Sequence, residues 1–169
     1  FQAGTPDVNA LAARVVEAAP QAVVVIAGAR DSGRVVAALR RLGCTAPVLC
    51  GPAAGRRTFL EEAGPAAEGV LFPLVMETSA AAPDYAAAHA YDAARLLVAA
   101  IRKAGLNRAR IRDAVRELSG WQGRSGVIRW DALGQNERPV RLGTIRQGRA
   151  VSAEDQVSFG AMPSAFILR

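Results

Sequence analysis

Histidine, cysteine and aromatic residues are scarce in this chain, and each shortage removes a class of function. His89 is the only histidine, and the two cysteines, Cys44 and Cys50, make no C-x-x-C pair, so a zinc site built from such ligands has no material. Residues 45–49 between the cysteines read as a strand with its entry. At ~3.3 Å per residue this sets the two roughly 15–20 Å apart, beyond the ~7 Å Cα separation that a disulfide spans, and both are expected as buried free thiols. Aromatic residues make up 5% of the chain, which leaves the basic segment only Trp121 and Trp130 for stacking on bases. No apolar run approaches the roughly 20 residues of a membrane span.

Catalytic motifs are missing as well. Gly28-Ala29-Arg30-Asp31-Ser32-Gly33 has the glycine spacing of a phosphate loop, but Arg34 and Val35 stand where Lys and Ser/Thr are required. There is no G-x-G-x-x-G for a dinucleotide and no G-x-S-x-G elbow for a serine nucleophile. His89 lies one turn from Tyr85 on an alanine-rich helix and reads as a packed or surface residue, and Asp92 reads as a hydrogen-bonded helix residue. Without a clustered nucleophile, base and orienting group, the chain is expected not to be an enzyme and to need no cofactor.

What is present is enough for one sizeable core: 169 residues, 51% of them hydrophobic, with a single domain as the default. Charge is uneven. Residues 1–94 sum to −2, residues 95–149 to +9 and residues 150–169 to −1. Arg108, Arg112 and Arg116 recur every fourth residue on a predicted helix whose other face carries Ile111, Val115 and Leu118, the pattern of a solvated side.

Strand and helix patterns alternate, which predicts an α/β fold with a doubly wound, mostly parallel sheet and helices on both faces. Helices are expected over 8–19, 31–42, 56–63, 84–104 and from Asn107 to about Leu118. Strands are expected over 22–27 (fully buried), 48–50, 69–75, 126–130 and 140–146, the last two as an antiparallel pair. Gly43, Gly64 and Gly105 sit where helices should stop.

The run from Gly120 to Gly134, G-W-Q-G-R-S-G-V-I-R-W-D-A-L-G, joins a helix end to a strand and a tight turn. It resembles the G-x-x-G-x-I-x-F-D-x-x-G of type I periplasmic solute-binding proteins, the branched-chain amino acid receptors of ABC transporters. Ala3-Gly4-Thr5-Pro6-Asp7, Gly51-Pro52, Ala67-Glu68-Gly69-Val70 and Tyr91-Asp92-Ala93 resemble further pieces of that family in the same order. The resemblance implies that residues 1–150 form the second lobe, with 151–169 as a C-terminal tail. It implies closure against an N-terminal lobe of the same protein around a small-molecule solute, with an ABC transporter permease as a further partner, in a periplasmic or extracytoplasmic setting. Phe1 is not an initiator methionine and no signal-like region follows it, so any export signal is expected outside this sequence.

Ligands of open α/β sheets sit beyond the C-terminal ends of the strands, which selects Ala29, Arg30, Asp31, Ser32, Ala53 and Glu77 as candidate ligand-binding residues, with Arg30, Asp31 and Glu77 on one edge. Here the chain departs from the family pattern. Ala29 and Arg30 stand where an aromatic is common, and Ala53 replaces the acid that pairs a ligand's ammonium. The stretch between Val75 and Tyr85 also lacks a helical segment that the family has. The expected ligand is therefore a small polar molecule, an amino acid or a related amide or carboxylate. The alternative is a sensing or protein-interaction module that kept the lobe and lost the solute.

A solvated arginine face makes a testable claim about nucleic acid. Duplex DNA should bind only weakly, and electrophoretic mobility shifts should vanish near physiological salt, as phosphate-driven binding does.

Overall fold

The computed structural model describes residues 7–76 and 84–153. A first helix, α1 (Val8–Glu17), is capped by Asp7, whose side chain accepts from Ala10 N. It leads to β1 (Val23–Val25), α2 (Ala29–Arg41), β2 (Val48–Cys50), α3 (Arg57–Ala63) and β3 (Leu71–Leu74). Short 3-10 turns at Pro52–Gly55 and Gly64–Ala67 flank α3. Then come α4 (Tyr85–Ala104), α5 (Arg108–Glu117), β4 (Trp121–Gly123), β5 (Gly126–Ile128), β6 (Arg141–Arg146) and β7 (Arg149–Ser152).

Five strands form one sheet in the order β1-β2-β3-β6-β7. The first three are parallel, and β6 and β7 join antiparallel. The β2–β3 ladder registers only at Leu49 opposite Leu71. Pro73 follows within β3 and has no N–H to offer, and on its other side it sits opposite Leu142 of β6. The main core lies between this sheet and α1, α2 and α3, around Phe59, Phe72, Leu39, Ile145, Val36, Val48 and Val70, all at most 2% exposed.

Two local devices hold α2 in place. Gly43, at φ 78°, ends the helix in the left-handed conformation that favours glycine, and Arg40 folds back to donate to Cys44 O at 2.6 Å and Ala46 O at 2.9 Å. Midway along α2, Gly33 is the point of closest approach to α3: a Cβ built there would lie 2.8 Å from Glu62 Cβ and 2.9 Å from Phe59 O. The glycine spacing of residues 28–33 therefore serves a helix crossing at Gly33, not a phosphate loop.

Helices α4 and α5 and the β4–β5 hairpin pack on one another, and none of their residues enters the sheet's hydrophobic cluster. On α4 the buried residues Ala88, Asp92, Leu96 and Ala100 fall every fourth position, a single stripe. Opposite it, Ala114 of α5 is buried, and Trp130 Nε1 donates to Val115 O at 3.1 Å.

The structure corrects three details of the sequence reading. Residues 22–27 do not form a fully buried strand: Val23 and Val25 are buried, but Val24 is 66% and Ile26 74% exposed, because that face of the sheet edge is uncovered among the described residues. Residues 126–130 and 140–146 do not pair with each other. Gly126–Ile128 instead turns back on Trp121–Gly123, and Arg141–Arg146 lies between β3 and β7. Finally β7 itself was not foreseen; the turn before it uses Gln147 at φ 49° and Gly148 at φ 70°, the two left-handed residues of a tight hairpin. The tail from residue 154 onward lies outside the described residues.

The close α2–α3 crossing has a measurable consequence. Gly33→Ala should destabilise the fold by about 1–3 kcal/mol, the usual cost of overpacking, because backbone atoms at Phe59 and Ala63 limit the escape of the new methyl. A lowered urea midpoint with unchanged slope is the expected result, and an unchanged midpoint would remove Gly33 from this role.

Candidate ligand-binding rim

The C-terminal ends of β1 and β2 deliver two successive glycine-led turns to one rim of the sheet. Gly28, extended at φ −63° and ψ 163°, caps α2, and Ser32 N donates to Gly28 O at 2.9 Å. Gly51 has nearly the same backbone, φ −67° and ψ 172°, and opens the Pro52–Gly55 turn. The two turns are tied together by Gly51 N donating to Val25 O at 3.2 Å, and exposed Ile26 reaches toward Gly51. This geometry leaves the first N–H groups of α2 facing the rim without a side-chain cap, where a polar ligand atom can accept them.

Five of the six sequence-selected residues are described, and they do not all reach the rim. Ala29, Arg30 and Asp31 form the first turn of α2, and Ala53 lies in the neighbouring turn. Ser32 points inward instead: it is 1% exposed and its Oγ finds no hydrogen-bond partner among the described residues. Arg30 is largely exposed but engaged, its Nε 3.1 Å from Glu62 Oε1 on α3. Asp31 has an interaction partner of its own. Glu77 lies outside the described residues, so Arg30 and Asp31 alone carry the shared-edge expectation.

A second ion pair, missed by the sequence reading, closes the same rim from the side. Arg56 Nε sits 3.0 Å from Asp84 Oδ2, and the other oxygen of Asp84 caps α4 by accepting from Ala86 N at 2.9 Å. Below this pair Tyr85 shares a narrow crevice with Pro52, Phe72, Leu74 and Met76. Pro83-Asp84 is a legible helix start, but nothing in the sequence announces a partner 28 residues away.

Cys50 and Asp92 are buried groups with reactive-looking chemistry, the first quenched and the second occupied. Burial pushes the Cys50 thiol up to about 11, and neither Cys44 nor Cys50 is in a disulfide. The Asp92 carboxylate is 2% exposed; it accepts from Arg124 N at 2.8 Å, Ser125 N at 2.7 Å and Ser125 Oγ at 2.7 Å. Desolvation by itself raises its pKa, but the hydrogen bonds from Ser125 and Arg124, with a smaller electrostatic contribution from His89, outweigh it and hold the carboxyl below its ordinary value. Gly123 makes room for this arrangement, since a Cβ there would come within 2.7 Å of Asp92 Cγ. Arg138 then clamps the turn from outside by donating to Ser125 O, and Arg124 lies 4.0 Å over the Tyr91 ring. Among the described residues no cluster of ligating side chains could hold a metal.

The sequence matches no protein-family model and no curated protein. Solved structures do match. A leucine-binding protein from Thermotoga maritima aligns with 92% of this chain and 51% of its own length at a TM-score of 0.76 and 24% identity. A branched-chain amino acid transporter substrate-binding protein from Streptococcus pneumoniae, solved with isoleucine, aligns with 90% of this chain and 50% of its own at 0.74 and 22%. An extracellular ligand-binding receptor from Rhodopseudomonas palustris aligns at 0.71 and 18%. The chain thus spans about half the length of these structures, and it has the α/β fold of part of a type I periplasmic binding protein, as the sequence motifs implied.

The depressed Asp92 carboxyl sets a pH dependence. With a folded-state pKa below the unfolded one, its stabilisation is complete above the ordinary carboxylate range and is lost as pH falls through the folded value. Asp92→Asn, which turns one acceptor into a donor facing Ser125, should cost about 1–3 kcal/mol at neutral pH. In urea titrations the gap between variant and parent should narrow as the solution is taken below about pH 4; a gap independent of pH would show that the charge plays no part.

Proposed function

We propose that this chain, which shares its fold with half of a type I periplasmic solute-binding protein, is the second lobe of an extracytoplasmic receptor that captures a small polar solute for ABC-type uptake. The observation that supports this most directly is the pair of glycine-led turns after β1 and β2, set side by side at one rim by the Gly51–Val25 hydrogen bond. Donors at the start of α2 offer a site for a ligand carbonyl or carboxylate, and such a rim needs a facing lobe to exclude water.

The rim's described arginines are already neutralised, Arg30 by Glu62 and Arg56 by Asp84. The lobe therefore contributes dipoles and shape, and most of any charge recognition falls to the facing lobe. We read the ligand as an amino acid or a related amide or carboxylate, in keeping with the leucine and isoleucine bound by neighbours of the same fold. Among the described residues no arrangement of nucleophile and base supports an enzymatic role. Among the described residues no helix is long and apolar enough to cross a membrane.

A second reading, a sensing or protein-interaction module of the same fold, draws on Ala29 and Ala53 standing where larger or charged contacts are common in such receptors. Thermal-shift screening of the protein with both lobes, using leucine, isoleucine, small amides and carboxylates, separates the two. A ligand near 100 times its Kd adds about 2.7 kcal/mol to native stability, so a clear rise in melting temperature is expected for at least one of these solutes, reduced by a bulky replacement such as Ala53→Trp. No rise with any of them would favour the second reading.

A further inference from the structure

The turn between α4 and α5 holds an apolar side chain out where local structure offers it cover. Leu106 is 94% exposed. It follows Gly105, the C-cap of α4 at φ 70°, and precedes Asn107, the N-cap of α5. A residue just after such a glycine commonly packs back on the last turn of its helix, and one just before an N-cap commonly packs on the fourth helical residue, here the half-buried Ile111. At its exposure Leu106 does neither.

Cations surround it on both sides. Arg102 and Lys103 end α4, where the helix dipole favours them. Arg108 and Arg110 begin α5, where the same dipole disfavours them, and that first turn has no acid. All four are exposed, and of the four only Lys103 has a carboxylate partner among the described residues, Glu117 at 2.6 Å. The basic and apolar character continues away from the turn: Arg102 and Lys103 also line an open groove of about 660 Å³ with Val98, Tyr91 and Trp121.

We infer that the α4–α5 turn is a docking tip for an anionic lipid surface, with Leu106 entering the boundary between headgroups and acyl chains and Arg102, Arg108 and Arg110 meeting the phosphates. Charge complementarity selects the surface: the tip itself, residues 102–110, holds four cations and no acid. The protruding leucine selects lipid over nucleic acid, since an aliphatic side chain gains from an acyl boundary and gains nothing from a phosphate backbone. This inference is independent of solute binding.

The test is co-sedimentation of the full chain with vesicles of equal parts phosphatidylglycerol and phosphatidylcholine, against vesicles of phosphatidylcholine alone. Partitioning should favour the anionic vesicles by roughly tenfold or more at low ionic strength and weaken as salt is added. Leu106→Ser should lower it roughly fivefold, and Arg108→Glu with Arg110→Glu should remove it, neither with a lowered thermal melt, because the altered side chains are solvent-exposed and acids at the start of α5 suit its dipole. Equal partitioning on both vesicle types, or anionic binding that Leu106→Ser leaves unaltered, would overturn the inference, the latter showing only the long-range attraction of a chain with net charge +6.

Discussion

The carboxylate of Asp92 is the point at which α4 and the β4–β5 hairpin become one body. A three-residue hairpin arm has too little ladder to stand by itself, and the pairing of β4 with β5 covers only residues 121–123 and 126–128. Its turn is instead anchored from below, by a buried anion whose lone pairs are filled by Arg124 N, Ser125 N and Ser125 Oγ. The anchor requires a glycine at 123, a small hydroxyl at 125 and an acid one residue past Tyr91. Those requirements give a physical reason for two separated motifs, the Tyr-Asp-Ala of the long helix and the Gly-x-x-Gly of the hairpin, to occur together in one chain.

The sheet side of the molecule obeys a different constraint, close contact between α2 and α3 at Gly33. That contact fixes the tilt of α2 and so aims its uncapped N-terminus at the rim. It also brings Glu62 to Arg30. An arginine in the first turn of a helix is unfavourable beside the positive end of the dipole, and the pairing offsets this while removing the rim's most prominent free charge. Local packing thus sets the charge that this rim presents.

Much of the fold was legible because it rests on local chemistry. Strand 48–50, the helix stops at Gly43, Gly64 and Gly105, and the helix starts at Asp84 and Asn107 all follow from short-range rules. What could not be read depended on distant partners. The exposure of Val24 and Ile26 depends on what lies over that face of β1 and not on their hydrophobicity. The partner of β6 is β3, chosen by sheet order and not by sequence proximity to β5. At the rim, Ala29, Arg30, Asp31 and Ala53 do lie in the turns that follow the parallel strands β1 and β2, the positions that the rule for ligands of open sheets selects. Ser32, one position further along α2, is turned toward the core, and the Arg56–Asp84 pair was invisible because its two halves belong to different packing units.

The antiparallel seating of β6 against β3 also dictates an order of assembly. Strands β1, β2 and β3 can associate as soon as they are synthesised, β1 and β2 each helped by the helix that follows it in sequence. The second edge of β3 cannot be covered until the whole of α4, α5 and the hairpin has been made, since its neighbour begins at Arg141. During that interval a growing chain carries an open apolar ladder, Leu71, Phe72 and Leu74, of the kind that recruits the wrong strand. Pro73, which cannot donate to any intruding strand, sits in the middle of it.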